Sequence, residues 1–334
     1  MTTAIIAELP FLVELVKSAI LKERPELSAC GELVAFAHPN WTLNANFDYP
    51  RGLKWTDYPV VHDVRYKPAI LKAEHSGTLG DDRDLVQAIR SCRHVVCVAF
   101  ASSSSALTFS LTLRRIFPDG LPAGKVFHLS VTGADRRDGR MGFDAIISEI
   151  NDSVRAMVPV DAIDSEACRY AEIKRRFDYN FNLNSFAIFG DAMRRAAADG
   201  QVPTKLSLQT LYLVRDLEAC SMSDLLSRMG DWSGTGRYAQ YGRTGFGSAS
   251  SRPTVVVGLV SSGLLKEDGR RLALSDVGSR FLDLLHPDCQ DPDLPFRLDA
   301  WARAPREEAF PKIDRYVRTF FGRQKRYAST SIRA

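Results

Sequence analysis

The sequence predicts an α/β domain built on a parallel sheet, followed by a mainly helical domain. Strand-like and helix-like segments alternate up to about residue 132, the order expected for a parallel sheet with crossover helices. The run HVVCVAFA (94–101) is apolar throughout, as in strands that are buried on both faces. Beyond Gly133 strand signals are few. We therefore predict an α/β domain over 1–155 and a helical domain over 156–334, which a chain of 334 residues can accommodate.

The elements of the α/β domain follow from hydrophobic spacing. Each predicted strand is a short apolar run, and each predicted helix carries apolar residues at helical intervals. The region from Asn40 to about Lys72 is rich in aromatic residues and proline, and we interpret it as an ordered excursion over the surface. The predicted segments in chain order are TTAIIAELP, FLVELVKSAILKERPEL, GELVAFAHP, DRDLVQAIRSC, HVVCVAFA, ALTFSLTLRRIF and KVFHLSVTG.

The second domain contains long helical patterns interrupted by one Gly/Ser-rich stretch. Residues 230–253 show no apolar period, which predicts a mobile loop. The segment after it predicts a helix, a tight turn between two short strands, and another helix. That order is typical of a winged helix, in which GLLKED and RRLALS would form the wing.

Composition excludes several classes of protein. Six cysteines without a CxxC pair make a zinc ribbon or a disulfide framework improbable and favour a reducing cytoplasm. No run approaches the roughly 18 apolar residues of a membrane-spanning helix, so we expect no membrane partner. The formal charge of +4 is compatible with a nucleic-acid partner without requiring one.

Seven segments resemble, in order, those of the type IA DNA topoisomerases. IIAELP (5–10) is similar to the opening strand of that family, and VVCVAFASSSSALTFSLTL (95–113) occupies the position of its Toprim segment. The resemblance implies a Toprim-like, Rossmann-like first domain and a helical second domain that contact single-stranded DNA. The other similar segments are GELVAF (31–36), LKWTDYPVV (53–61), RYAEIKRRFDYNFNLNS (169–185), KLSLQTLYLV (205–214) and the region 245–285, which begins GFGSAS.

The acidic metal site of that family is not conserved in this chain. Ala101, Ser103 and Leu107 stand where the three acids are expected, and Ser104 replaces the arginine. Neutral hydroxyls are weak ligands for a hard cation, so we expect no metal and no cofactor. Glu8 matches an early glutamate of the family, and we interpret it as a residual polar group at a strand end.

The arch domains that carry the nucleophilic tyrosine of the family are also missing. Only about thirty residues separate the two segments that flank them, too few for a domain. YGRTG (241–245) is nevertheless similar to the nucleophile motif. Tyr241 could therefore act as nucleophile with Arg243 stabilising the phosphorane; alternatively, both residues contact a backbone phosphate or have no such role.

Basic clusters predict where DNA would be contacted. Lys/Arg side chains contact phosphates, and interleaved aromatic rings can stack on unpaired bases. The alternative is that these charges form solvated helix faces. The predicted DNA-binding residues are Arg175, Arg176, Arg194, Arg195, Arg243, Arg252, Arg270, Arg271, Arg323, Lys325 and Arg326.

These observations predict a catalytically inactive, topoisomerase-like cytoplasmic protein. It would bind DNA, preferentially single-stranded, or serve as a structural subunit of a DNA-processing complex with other proteins. One alternative is a minimal active topoisomerase or nickase that uses Tyr241. A second is a protein–protein adaptor without DNA affinity, in which the aromatic segment 41–68 forms the partner surface.

Overall fold

The chain divides into two compact units in the computed structural model. The first comprises Met1–Asp48 and Arg65–Glu172, and the second comprises Tyr49–Val64 and Ile173–Ala334. This division lies at 172/173, whereas the sequence suggests 155/156, and it assigns 49–64 to the second unit. The structure describes residues 2–27, 32–38, 43, 47–68, 71–73, 82–132, 143–161, 165–198, 200–241, 245–247 and 251–330.

The first unit is an α/β layer around one sheet. Its strand order is β3-β2-β1-β4-β5, in which β2, β1, β4 and β5 are mutually parallel and the two-residue β3 is antiparallel to β2. The predicted parallel sheet is thereby confirmed. The elements are β1 (Thr3–Ala7), α1 (Pro10–Glu23), β2 (Glu32–Phe36), β3 (Lys72–Ala73), α2 (Asp82–Ser91), β4 (His94–Phe100), α3 (Ser103–Ile116), β5 (Val126–Val131) and α4 (Phe143–Ala156).

Both faces of this sheet are covered, which explains the continuous apolar strands. On one face Ile5 and Val96 pack with residues of α1 and α4. On the other face Ile6 and Cys97 pack with residues of α2 and α3. Since the helices that follow β1 and β4 cover opposite faces, the order of the strands reverses between these two strands. In open α/β sheets, ligand crevices form at the carboxyl ends of the strands at such a point.

The second unit is mostly helical, as the sequence predicts, with one small antiparallel sheet in the order β6-β8-β7. The sequence pattern does not reveal β6, because its three residues lie between two helices and Ser221 also caps the helix that follows. The elements are the C-terminal part of α5 (Ser165–Ala196), then α6 (Lys205–Leu217), β6 (Ala219–Ser221), α7 (Met222–Gly230), α8 (Ser251–Ser261), β7 (Leu265–Asp268), β8 (Arg271–Leu274), α9 (Asp276–Asp283), α10 (Leu294–Ala302) and α11 (Arg306–Thr330).

The sequence suggests a mobile loop over 230–253, and the described part of this stretch contains a short helix and buried side chains. Gly236–Tyr241 forms a 3₁₀ helix. Tyr238 and Phe246 are buried, and Trp232 Nε1 donates a hydrogen bond to the carbonyl oxygen of Pro292 at 2.9 Å. These aromatic side chains pack the described part of the stretch onto the unit, because burying a large ring stabilises the segment that carries it.

The segment 49–64 is an integral part of the second unit. Asn184 Oδ1 accepts a hydrogen bond from Val60 N at 2.9 Å, and Asn184 Nδ2 donates to Val60 O at 2.8 Å. Asn180 pairs in the same way with the backbone of His62, at 2.8 and 2.9 Å. Lys325 Nζ donates to the carbonyl oxygens of Trp55 and Tyr58. Two buried asparagines and a lysine therefore satisfy much of the backbone of this segment.

In the part of the chain that the structure describes, no helix is both long and apolar enough to cross a membrane.

Candidate functional site

Glu8 lies at the carboxyl edge of the first sheet, directly after β1. Its Oε2 accepts hydrogen bonds from Phe100 N at 3.1 Å and from the Ser105 hydroxyl at 2.9 Å. The Glu8 backbone N–H donates to Val98 O at 3.0 Å. The carboxylate therefore connects β1 to the end of β4 and to α3 at the point where the strand order reverses.

Serines form the start of α3 next to this carboxylate. The Ser102 hydroxyl caps the helix by accepting from Ser105 N at 3.0 Å, and it also lies 2.8 Å from the Ser105 hydroxyl. Ser105 is only 1% exposed. Serine is a preferred N-cap residue because its oxygen satisfies a backbone N–H that has no partner within the helix.

The three positions that correspond to the acids of the topoisomerase site do not meet at one point. Ala101 is exposed after β4, and Ser103 is half-buried at the first turn of α3. Leu107 is fully buried in an apolar cluster with Leu43 and Cys168. Within the described ranges, no group of three or more His, Cys, Asp or Glu side chains could hold a metal ion.

Two residues of the motif YGRTG (241–245), Tyr241 and Gly245, lie within the described part of the chain. Tyr241 is the last residue of the 3₁₀ helix Gly236–Tyr241, but its side chain lies outside the described part. Arg243 also lies outside the described residues.

Three of the predicted DNA-binding side chains are buried or half-buried and bind groups inside the second unit. The buried Arg176 binds Asp314 through Nε and Nη2, both at 2.9 Å, and Asp63 through Nη1 at 2.7 Å. Lys325 contacts the carbonyl oxygens described above. Arg252 Nε donates to Phe246 O at 3.1 Å. The geometry shows these three groups binding the protein's own atoms.

The other predicted cations are more accessible. Arg175 is half-buried, with Nη1 3.9 Å from Asp178 Oδ2. Arg194 lies 3.2 Å from Asp191, and Arg323 forms an ion pair with Asp288. The exposed members of the predicted set are Arg194, Arg195, Arg270, Arg271, Arg323 and Arg326.

A cavity of about 430 Å³ in the second unit, here called the lysine pocket, brings together residues that are distant in sequence. Lys174 comes from α5, Lys205 from the first turn of α6, and Arg303 follows α10. Among the described lining residues, these three cations face one acidic side chain, Asp299, which accepts from Arg303 Nε at 2.9 Å. The described lining residues are Lys174, Lys205, Leu206, Gln209, Gly245, Phe246, Gly247, Leu294, Pro295, Leu298, Asp299 and Arg303.

The lysine pocket is electrostatically suited to an anion. Burial, and then the charge of Lys205, lower the pKa of Lys174, although Asp178 and Asp299 act in the opposite direction. Lys205 forms an ion pair with Asp178, and its Nζ also lies 5.2 Å from the centre of the Phe177 ring. A bound anion would relieve the repulsion between the two lysines and favour the charged form of Lys174.

Two glycines form one wall of the lysine pocket. Gly245 and Gly247 have φ values of +64° and +71°, a region that favours glycine. A Cβ on Gly245 would lie 2.7 Å from Gly230 O and 2.8 Å from Arg252 Nη2. The absence of side chains lets the backbone pack closely on the Arg252 guanidinium, which adds positive charge beside the pocket.

A larger groove of about 930 Å³ between the 288–293 segment and α11 is less suited to an anion. Its aspartates are paired: Asp291 accepts from the Tyr316 hydroxyl at 2.9 Å and lies 3.4 Å from Arg297 Nη2. Asp293 accepts from Thr235 at 2.7 and 2.8 Å, and Asp288 pairs with Arg323. The described lining has four cations against three aspartates, which leaves one net positive charge, compared with two in the lysine pocket.

Sequence reasoning missed Lys205 and Arg303. Lys174 belongs to the basic run KRR (174–176), which the sequence indicates as a basic cluster, although only Arg175 and Arg176 are predicted DNA-binding residues. Lys205 and Arg303 are isolated cations whose local sequence carries no signal. Only the fold brings them to one cavity.

No protein-family model matches this chain, and no curated protein is similar enough to it to be identified as a relative.

Proposed function

We propose that this chain is a catalytically inactive, topoisomerase-like protein that binds single-stranded DNA through its second unit, by itself or as a structural subunit of a DNA-processing complex. The lysine pocket is the phosphate-binding site in this proposal. Lys174, Lys205 and Arg303 supply the charge that binds the phosphate.

The observation that carries the proposal is the convergence of four segments on one cavity. Three of them belong to stretches that resemble the topoisomerases: Lys174 to 169–185, Lys205 to 205–214, and Gly245 to the region 245–285. The fourth, which supplies Arg303, lies outside the similar stretches. The resemblance rests on sequence order alone and does not determine which side chains meet. Their meeting in a cavity rich in cations is an independent argument for an anionic ligand.

Two features of the architecture support the proposed fold relationships. The parallel order β2-β1-β4-β5, with helices on both faces, is compatible with a Toprim-like first unit. In the second unit α6, β6, α7, α8, β7 and β8 follow one another around a sheet of order β6-β8-β7. We propose that these elements form a winged helix with the β7–β8 hairpin as the wing.

The contacts of Glu8 support a non-catalytic role. A carboxylate that takes part in metal or acid–base chemistry at a phosphate must face its substrate, whereas Glu8 Oε2 accepts from Phe100 N and from the buried Ser105 hydroxyl. Ala101 and Ser103 supply no anionic oxygen beside it. This edge of the sheet acts as structural support in the proposal.

Binding of a labelled oligothymidylate of about twelve nucleotides to the full chain tests the proposal. Fluorescence anisotropy across a salt series should show binding that weakens with salt. The Lys174→Gln/Lys205→Gln double variant should reduce the slope of log affinity against log salt by about 1.4, since each lost single-strand phosphate contact contributes about 0.7. The matched control is Arg280→Gln/Arg306→Gln, because both arginines are exposed and line neither this pocket nor the other cavities described.

The possible outcomes separate the alternatives. Absence of binding at low salt would overturn the proposal in favour of a protein–protein adaptor. An equal loss in the control variant would assign binding to general charge and would overturn the role of the lysine pocket. Relaxation of supercoiled plasmid in Mg²⁺ that disappears in Tyr241→Phe would overturn the inactive role.

A further inference from the structure

A second cavity of the same unit, here called the arginine pocket, has a volume of about 950 Å³. It lies beside α7, β6 and the β7–β8 hairpin. Its cations are Arg228 from α7, and Arg270 and Arg271 from the hairpin. Hydroxyl groups of Ser221, Ser227, Ser233 and Thr235 and the ring of Trp232 also line it.

The cations of the arginine pocket are available to a ligand. Arg228 and Arg270 are exposed, and neither forms a hydrogen bond or ion pair with any residue that the structure describes. Arg271 is also exposed, and its Nη2 donates to Ala219 O at 3.2 Å. Exposed arginines present planar donors that suit phosphate oxygens.

Two aspartates reduce the positive charge of this cavity without cancelling it. Asp224 accepts from the Ser221 hydroxyl at 2.7 Å, and Asp231 accepts from the Ser227 hydroxyl at 3.4 Å. Three arginines against two aspartates leave the lining with one net positive charge. The arginine pocket is therefore suited to one phosphate group, and less strongly so than the lysine pocket.

An aromatic pair joins the two cavities. Trp232 lines the arginine pocket and Phe246 lines the lysine pocket, and their rings form an edge contact with centroids 5.3 Å apart. Gly245 N also donates to Trp232 O at 3.2 Å. The two cavities are therefore neighbours on the second unit, because residues that line one are in direct contact with residues that line the other.

We infer that a single strand whose phosphate occupies the lysine pocket continues past the half-buried Trp232 into the arginine pocket, where Arg228, Arg270 and Arg271 contact a further phosphate. This inference rests on the proposed function and deepens it. It makes the contribution of the arginines depend on strand length, because a strand with a single phosphate that fills the more positive lysine pocket has no second phosphate for the arginines.

The experiment compares thymidylyl-thymidine, a dinucleotide with one phosphate, with an oligothymidylate of about twelve nucleotides on the full chain; the longer strand lies within the range of site sizes known for single-strand binders. The variant is Arg228→Gln/Arg270→Gln, in which both side chains are exposed, and the control is Arg280→Gln. We expect the salt slope for the long strand to fall by about 1.4 in the double variant, from two contacts of about 0.7 each. Binding of the short strand should be unchanged.

The other outcomes would overturn either the arginine pocket, the path of the strand or the proposed function. An unchanged slope for the long strand, or an equal decrease in Arg280→Gln, would overturn the arginine pocket while the proposed function stands. Weaker binding of the short strand in the double variant would also overturn the proposed path. A wild-type protein that binds neither strand at low salt would overturn the proposed function together with this inference.

Discussion

The segment 49–64 provides the sharpest test of how the second unit is held together. Replacing Asn184 with alanine removes the hydrogen bonds with Val60 N at 2.9 Å and Val60 O at 2.8 Å, and one with Asn180 O at 2.7 Å. Asn184 is fully buried. The substitution therefore leaves two backbone groups of Val60 without their partner.

The expected loss of unfolding free energy follows from these two backbone groups of Val60. A buried backbone group without a partner costs about 1–3 kcal/mol. Val60 is half-buried, so water restores part of the loss, and we expect a destabilisation of about 2–3 kcal/mol in total. For a unit of this size that corresponds to a decrease in melting temperature of roughly 4–12 °C.

Two measurements check this expectation. Urea unfolding of the full chain followed by circular dichroism gives the free energy, and the transitions of the two units must be resolved because the chain need not unfold in two states. Hydrogen exchange at the Val60 amide should lose protection. The control Gln87→Ala truncates an exposed amide in α2 and should change stability by less than about 0.5 kcal/mol. The reasoning would be refuted if Asn184→Ala changed the free energy of unfolding as little as the control does, or if protection of the Val60 amide stayed the same.

Three further predictions concern the two sites. Ser105→Ala removes a hydroxyl 2.9 Å from Glu8 and should cost about 1–2 kcal/mol in chemical denaturation; an unchanged midpoint would contradict the support role of Glu8. Gly245→Ala places a Cβ at a position with a φ of +64° and contacts below 3 Å. It should lower the free energy of unfolding by about 2–3 kcal/mol and weaken oligothymidylate binding. A variant with wild-type affinity and stability would contradict the close packing. Burial and the charge of Lys205 lower the pKa of Lys174 from 10.5. Affinity for oligothymidylate should therefore decrease as pH rises through that lowered pKa, because Lys174 loses its charge there. This decrease should be absent in Lys174→Gln, and identical pH profiles of the two proteins would exclude Lys174 from binding.

The first unit was the more predictable part of the fold. Strands buried on both faces must be apolar along their whole length, so the run 94–101 identifies β4 and indicates helices on both faces of the sheet. The two-residue β3 has no such signal. Neither does β6, because three residues are too few to show a period of two.

The candidate sites were less predictable than the fold. The serines and the alanine beside Glu8 are visible in the sequence and indicate the loss of acidic ligands. Which groups Glu8 contacts instead depends on Phe100 and Ser105, more than 90 residues away in sequence. The aromatic residues of 230–253 could have indicated packing, but the glycines and serines around them suggested a loop.

By itself, the sequence determined the order of the longer strands and helices of the first unit and the places where charge accumulates, because both follow from the residue types within a short window. Only the tertiary structure decided which charges meet in a cavity. Arg176 and Lys174 are two residues apart in one helix, yet Arg176 binds Asp314, 138 positions away, while Lys174 lines a cavity with Lys205 and Arg303. The physical reason is that pairing and burial of a charge are set by groups brought near by folding, and local sequence carries no information about them.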